Sequence, residues 1–369
     1  MATIPPGGTI GILGGGQLGR MLAMAAAELG LHTHVYCPDE ELPAAEVAGR
    51  TTRAAYDDEA ALIRFAGSVD AVTYEFENVP AETARILSER GIVRPGPIAL
   101  ATAQDRVVEK KFLVSRGIAT APFADVGSEA DLRDAVEAIG TPSILKTRRF
   151  GYDGKGQAKI AAPTEGIAAW DEIGRAPAIL EGFVAFEREI SVIVARGLDG
   201  HTAAYDPVEN IHKNHILDRT LAPAALTKAL ADEACAIAAR IASELDYVGV
   251  MGVEMFLLPE SGAKRRLLVN EIAPRVHNSG HWTMDACAVS QFEQHMRAIC
   301  GWPLGGPERH SDAVMTNLIG SEAEDWARLA AEPQTAIHLY GKREARPGRK
   351  MGHATRLYPL GTRPPVTPS

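Results

Sequence analysis

Cysteine is scarce in this chain. Its four thiols, Cys37, Cys235, Cys287 and Cys300, show neither Cys-x-x-Cys nor a histidine-rich metal spacing. That argues against a zinc site, and the thiols read as reduced, mostly buried groups of a cytoplasmic protein. Cations are outnumbered. Thirty-eight Lys and Arg against 47 Asp and Glu give a formal net charge of −9, which excludes a general nucleic-acid binder. Long apolar runs are missing, and none approaches the ~18 residues of a membrane span. Met1 to Gly8 has no basic stretch, so no secretory signal is expected. Repeats, heptads and low-complexity segments are lacking too. What remains is 46% hydrophobic and 23% charged over 369 residues, an ordinary soluble composition long enough for two or three domains.

The start of the chain reads as βαβ. Thr9 to Leu13 is an apolar strand, Gly14-Gly15-Gly16-Gln17-Leu18-Gly19 turns it into a helix ending before Gly30, and His32 to Cys37 is the next strand. This G-x-G-x-x-G fits a dinucleotide site with Asp39 on the ribose, any ligand phosphate at a helix N-terminus, or a tight turn packed closely on its helix. The alternation continues: helix 57–66, strand 71–74, helix 80–90, strand 92–94 and a charged amphipathic helix 105–116. The pattern is an open, mainly parallel α/β unit. After a linker at 117–123 a second unit is expected, with helix 128–139 capped by Ser128, a strand at 143–146, a helix at 165–173 and a strand at 178–180. Further on, 189–195, 248–258 and 266–272 read as strands, 226–245 as a long helix, and 362–369 as a tail.

Three features carry chemistry. Lys146 ends an apolar strand, and Gly151-Tyr152-Asp153-Gly154-Lys155-Gly156-Gln157 follows. Glycines let backbone amides approach phosphate oxygens and the lysines add charge, without the Gly-Lys-Ser/Thr of a Walker loop. Glu254 and Glu271 each sit inside an apolar strand. Two such acids on neighbouring strands repel unless a cation lies between them, and hard oxygen donors suit Mg²⁺; pairing with Arg265, Arg266 or Arg275 is the alternative. Arg275, four residues beyond Glu271, is suited to a phosphoryl oxygen. Finally, residues 341–356 carry Lys342, Arg343, Arg346, Arg349, Lys350 and Arg356 against one acid, Glu344, which marks an anion site in an acidic chain.

Taken in order, Gly14 to Met21, Tyr74 to Val79, Gly151 to Gln157, Ala273 to His281 and Arg349 to His353 resemble the 5-(carboxyamino)imidazole ribonucleotide synthase family of the ATP-grasp superfamily, from about residue 9 to about residue 360. The resemblance implies an α/β ATP-grasp architecture: a preATP-grasp domain (1–113), a small central lid (114–186) and a C-terminal mixed α+β domain (187–369). It implies ATP and Mg²⁺ as cofactors, 5-aminoimidazole ribonucleotide and bicarbonate as substrates, ATP-dependent carboxylation through carboxyphosphate, and a homodimer. Arg106 and Lys146 would contact the ATP phosphates with the loop from Gly151, Tyr152, Asp153, Gly154, Lys155 and Gly156 to Gln157 closing over them. Glu181, Gly182, Phe183 and Val184 would hold adenine, Glu189 the ribose, with His212 and Asn270 nearby; Glu254 and Glu271 would hold the metal. Lys342, Arg349 and the Gln17-Leu18 helix start would take the ribonucleotide phosphate, and Glu75 and Asn278 its sugar or imidazole. Arg275, Lys350 and Mg²⁺ would meet developing charge, Tyr152 and Asp153 would exclude water, and Asp153 or His277 would take the amine proton.

The chain departs from the family's usual residues at Ala273, Val276 and His215, where Asn, Pro and Gly are common. A formate-dependent glycinamide ribonucleotide transformylase is the nearest alternative, although its loop carries serines where Tyr152-Asp153 stand here. A nicotinamide-dependent dehydrogenase is a more distant one, and would not need the later motifs.

Overall fold

The computed structural model describes residues 3–151, 154–260 and 266–364. Three sheets follow one another along the described chain. The first joins β1 (Thr9–Leu13), β2 (His32–Tyr36), β3 (Arg50–Thr52) and β4 (Ala71–Tyr74), all parallel, in the order β3-β2-β1-β4. β1 is apolar after Thr9 because both faces are covered. Ile10 and Ile12 share a core with Leu22 of the helix Gln17–Glu28, while Leu13 and Val72 share another with Phe65 of the helix Glu59–Ala66. The strand expected at 92–94 is a single bridge, Val72 to Val93. Pro95 lacks an amide to continue the ladder, and the chain enters an unanticipated helix, Pro97–Ala103, with proline at its first position.

The second sheet is antiparallel and holds β5 (Phe123–Val126), β6 (Ser143–Thr147), β7 (Gln157–Ile160) and β8 (Ala178–Gly182), ordered β5-β8-β6-β7. Helices Glu129–Ile139 and Gly166–Glu172 pack on it around Leu132, Leu145, Ile160, Trp170 and Leu180. Ser128 caps the first of these helices, accepting from the Asp131 amide at 3.2 Å. This unit has its own core, which suits a lid.

The third sheet contains β9 (Arg188–Arg196), β10 (Thr202–Ala204), β11 (Val208–Lys213), β12 (Ile216–Ala222), β13 (Gly249–Leu257), β14 (Leu267–Ala273), β15 (Asp312–Ile319), β16 (Thr335–Leu339) and β17 (Lys350–Tyr358). Its order is β14-β13-β9-β11-β12-β15-β17-β16, with β10 on β9. Only β9, β13 and β14 were expected. β11 and β17 carry too many charges for a strand to stand out, yet Met351, His353 and Thr355 of β17 are buried. The two-residue turn between β11 and β12 places Asn214 and His215 at φ of 50° and 65°; such a turn favours glycine or asparagine.

The first and third units are welded together. Ile10 and Leu22 lie in one core with Ile193, Trp282, Phe292 and Met296. Across it, the His295 Nδ1 accepts from the Val250 amide (3.0 Å) and its Nε2 meets the Thr73 hydroxyl (2.7 Å). The helix Arg106–Ser115, capped by Asp105, packs on β14, so the division expected at 113/114 falls inside a helix that leans on the third sheet. No helix among the described residues is long and apolar enough to cross a membrane.

Candidate active site

β13 and β14 pair antiparallel with Glu254 directly opposite Glu271, and a bulge follows Glu254. Both acids therefore sit side by side. The Glu271 carboxylate meets Arg106 Nη1 at 2.7 Å, and Arg106 Nη2 donates to the Gly151 carbonyl at 3.2 Å. Of the arginines named as alternative partners, Arg266 donates to Glu187 and the Leu258 carbonyl and Arg275 to Glu77, while residue 265 lies outside the described residues. Desolvation and then the Glu271 charge push the Glu254 carboxyl up, whereas Arg106 overcomes the same desolvation and holds Glu271 down. The Glu271 side chain is 38% accessible, yet desolvation still acts on its carboxylate. The pair is a strained, oxygen-only donor set.

The second sheet adds a charged cluster of its own. Lys146 Nζ lies 2.6 Å from the Glu181 carboxylate, and the buried Lys110 approaches the same carboxylate at 3.1 Å. Burial would raise the Glu181 carboxyl; Lys146 and Lys110 instead hold it at about 2. Lys110 also donates to the Asn270 carbonyl at 2.7 Å, tying β8, the helix Arg106–Ser115 and β14 together. Gly182 and Phe183 donate their amides to the Pro122 and Pro142 carbonyls, so an adenine edge at 181–184 must use the adjoining groups. The Val184 side chain is partly buried there. The Phe186 and Phe256 rings stack at 4.8 Å on the same side. Glu189 meets His212 Nδ1 at 2.5 Å, and that contact overcomes desolvation to raise the imidazole pKa.

The glycine loop bends over β6. Gly156 accepts from the Thr147 amide at 2.7 Å, Gln157 pairs with Lys146 across β6–β7, and Lys155 is exposed. At Gly154, φ is +78° and an added Cβ would lie 2.6 Å from His215, so the loop touches the β11–β12 turn. Tyr152 and Asp153 lie outside the described residues.

A second group of residues adjoins the first. Glu75, expected at the sugar or imidazole, points into the glycine turn, where its carboxylate accepts from the Gly16 amide and, at 2.5 Å, from the Gly19 amide. The N-terminus of the helix Gln17–Glu28 thus already faces an internal anion. Gln17 and Leu18, expected at the ribonucleotide phosphate, begin this same helix. Arg275, expected on a phosphoryl group, is engaged by Glu77, with Nη2 to Oε1 at 3.2 Å. Asn278 forms a reciprocal amide pair with Asn317 at 2.9 and 2.8 Å. His277 bonds Ser279 through Nδ1 (2.9 Å) and points Nε2 at Glu254 (3.4 Å). Burial first, then Arg275, lowers the His277 pKa to about 3, so the free ring is neutral.

The basic segment docks on the first unit. Arg349 pairs with Glu41 at 2.8 Å, and the Arg343 amide donates to the same carboxylate at 2.7 Å. Lys342 Nζ donates to the Lys350 carbonyl at 2.7 Å. Burial, then Arg349, lowers the Lys342 pKa to about 8, and Glu75 is among the charges acting on it. Lys350 acts electrostatically on Glu254, His212 and His277. Lys350 therefore links the carboxylate pair to the basic segment.

Sequence reasoning missed Lys110, Glu109, Asp105, Glu41 and Asn317. The signal for the first two was there. Glu109 and Lys110 lie on the turn between Val107 and Leu113, the buried face of their helix, and are 3% and 2% exposed. Asn317 and Glu41 left no local signal, since their partners are 39 and 308 residues away.

Comparisons with known proteins agree with this layout. Family models match in order: a ribonucleotide synthetase preATP-grasp domain at 8–104, an ATP-grasp domain at 111–292 and a phosphoribosylaminoimidazole carboxylase C-terminal domain at 313–359. The chain is similar to an N5-carboxyaminoimidazole ribonucleotide synthase of Brucella melitensis, with 53% identity over 97% of this chain and 98% of the relative. Among solved structures it is similar to an N5-carboxyaminoimidazole ribonucleotide synthetase in complex with ADP, at TM-score 0.92 and 41% identity, covering 97% of this chain and 94% of that one. It is also similar to the Aspergillus clavatus synthase in complex with ADP and 5-aminoimidazole ribonucleotide, at TM-score 0.89 and 31% identity over 96% of this chain and 94% of that one.

Proposed function

The chain belongs to the N5-carboxyaminoimidazole ribonucleotide synthase family of ATP-grasp ligases, and from that membership we propose how its cleft divides the chemistry. The protein is an ATP-dependent carbon–nitrogen ligase of purine biosynthesis, with 5-aminoimidazole ribonucleotide as acceptor. Bicarbonate is the carbon source in this reading. The observation that carries it is the opposition of Glu254 and Glu271 across β13–β14, with Arg106 joining Glu271 to the loop at Gly151.

The paired carboxylates fit Mg²⁺, since a cation relieves the repulsion that raises Glu254 and the donors are hard oxygens. Bound there, the ion would supply charge neutralisation at the transferring phosphoryl group. Arg106 and Lys146 hold phosphates, and Lys155 adds charge from the closing loop. Glu181 holds Lys146 in place through its 2.6 Å contact. Backbone at 181–184 holds adenine, Glu189 and His212 lie at the ribose, and Asn270 fixes Lys110 behind Glu271.

A bicarbonate oxygen attacks the γ-phosphorus and ADP leaves, giving carboxyphosphate. The exocyclic amine then attacks the carboxyl carbon, phosphate departs, and the amine proton passes to Asp153 or His277. Charge spreads over several oxygens at once, so positioning and electrostatics dominate. Arg275 and Lys350 meet that charge, and Tyr152 and Asp153 exclude water. Lys342 and Arg349 take the ribonucleotide phosphate beside Gln17 and Leu18, with Glu75 and Asn278 toward the sugar and base. The assembly is a cytoplasmic homodimer in this reading, which sedimentation would test.

The decisive experiment uses bicarbonate labelled with ¹⁸O. One labelled oxygen is expected in the released phosphate, after exchange with water is controlled for. Unlabelled phosphate would rule out carboxyphosphate and leave an ATP-dependent condensation of another kind.

A further inference from the structure

We propose that Asp285, His338 and His353 form a binding site for one divalent transition-metal ion of the zinc class, separate from the Glu254–Glu271 pair. His338 and His353 are register partners across β16 and β17, with rings 4.6 Å apart and inclined by 20°. Asp285, from the helical turn Thr283–Ala286, holds both carboxylate oxygens 3.0 Å from His338 Nε2. One ligand atom from each residue lies within 4.8 Å of the others.

An independent observation points to a missing ligand. His353 is fully buried, and its Nε2 has no hydrogen-bond partner among the described residues. A buried ring nitrogen left unpaired is costly, because it has lost its water partners and gained none. Its other nitrogen, Nδ1, lies 2.9 Å from the Tyr340 hydroxyl. With the proton on Nδ1 donating to the Tyr340 oxygen, Nε2 presents a lone pair, which is the tautomer of a metal-bound imidazole whose ring is held by a hydrogen bond from its other nitrogen.

Two imidazoles and one carboxylate select Zn²⁺, Co²⁺ or Ni²⁺ over the hard cations Mg²⁺ and Ca²⁺. Metal–ligand bonds of about 2.0–2.2 Å require ligand atoms within roughly 3.5 Å of each other. The Asp285–His338 contact already meets that. The three ligand atoms, now within 4.8 Å of one another, must close by roughly an ångström on binding the ion. His338 is 24% accessible, which gives the ion an entry path and leaves room for water as a fourth ligand. The ion would clamp the turn at 283–286 to β16 and β17, whose connecting segment carries Lys342 and Arg349. Its role is thus structural.

The test uses the full chain, stripped of metal with chelator and kept in excess Mg²⁺ so that the carboxylate pair is filled. Titration with Co²⁺ is expected to load one ion per chain, with the visible absorption of a low-coordinate nitrogen–oxygen site, and to raise the melting temperature. His338→Ala and Asp285→Asn, both changes to partly exposed side chains, should each weaken loading by at least about tenfold and remove the thermal shift. Loading that is unchanged in both variants, or no uptake by the wild-type chain at micromolar Co²⁺, would overturn the proposal.

Discussion

In the proposed mechanism, Glu271 is the residue on which most of the nucleotide chemistry turns. It faces Glu254 and holds Arg106 at 2.7 Å, so it lies between the expected metal and the loop. Glu271→Gln keeps the shape and removes the charge. Turnover should fall at least about a hundredfold. Stability should move by no more than about 1 kcal/mol, because relief of the repulsion with Glu254 offsets the weakened contact to Arg106. Steady-state rates and a urea melt on the same preparation check both. Lys342 gives a pH signature. Burial and Arg349 lower its pKa to about 8 in the free protein. If its charge holds the ribonucleotide phosphate, KM for that substrate should rise as pH passes about 8, and Lys342→Arg should flatten the rise. The sign for stability is opposite. Between about 8 and about 10.4 the unfolded chain binds a proton that the native lysine does not, so this group makes stability increase with pH there.

The glycine turn after β1 is the element most sensitive to a single methyl group. Gly14 has φ of +105°, and a Cβ there would lie 2.4 Å from Glu75 Cγ. Gly14→Ala should cost about 1–3 kcal/mol through strain. It should also raise KM for the ribonucleotide, because Glu75 can only give way by releasing the Gly16 and Gly19 amides. A denaturant midpoint and a substrate titration separate the two effects. This turn was legible as a sharp strand-to-helix connection, but its ligand was not. The pattern G-x-G-x-x-G says that an anion fits at the helix start. Only the fold brings Glu75 there from the end of β4, 56 residues beyond Gly19. The helix Arg106–Ser115 makes the same point. It reads as a charged amphipathic helix, yet two of its charged residues, Glu109 and Lys110, are buried because β14 and β8 meet that face.

At the scale of the whole molecule, two units are fused and the third stands on its own core. The fusion runs through His295, whose Nδ1 must remain unprotonated to accept from Val250 while Nε2 donates to Thr73. Burial lowers this pKa from 6.5 to about 3. Below pH 6.5 the unfolded chain takes up a proton that native His295 refuses, so stability falls as pH drops through the window from 6.5 toward 3. The contribution is of the order of a few kcal/mol. His295→Asn, whose Oδ1 takes the place of Nδ1 and can still accept from Val250, should reduce the acid slope relative to the wild-type chain in melts taken from pH 7 to 5.

The sequence by itself determined which chemistry was possible. Lys146 before a glycine loop, two strand carboxylates and a run of cations after residue 341 are local patterns. Their meaning rests on residue type and spacing, and it survives without knowing where each segment lies. The tertiary structure decided which charges answer one another. That Glu254 faces Glu271, that Glu181 serves two lysines, that Glu77 occupies Arg275 and that Glu41 receives Arg349 are consequences of strand register and of packing between distant segments. Ion pairs between segments far apart in the chain leave no periodic trace in the sequence, because nothing local constrains both partners. Periodicity reports the burial of a face, and only the fold states what that face is buried against.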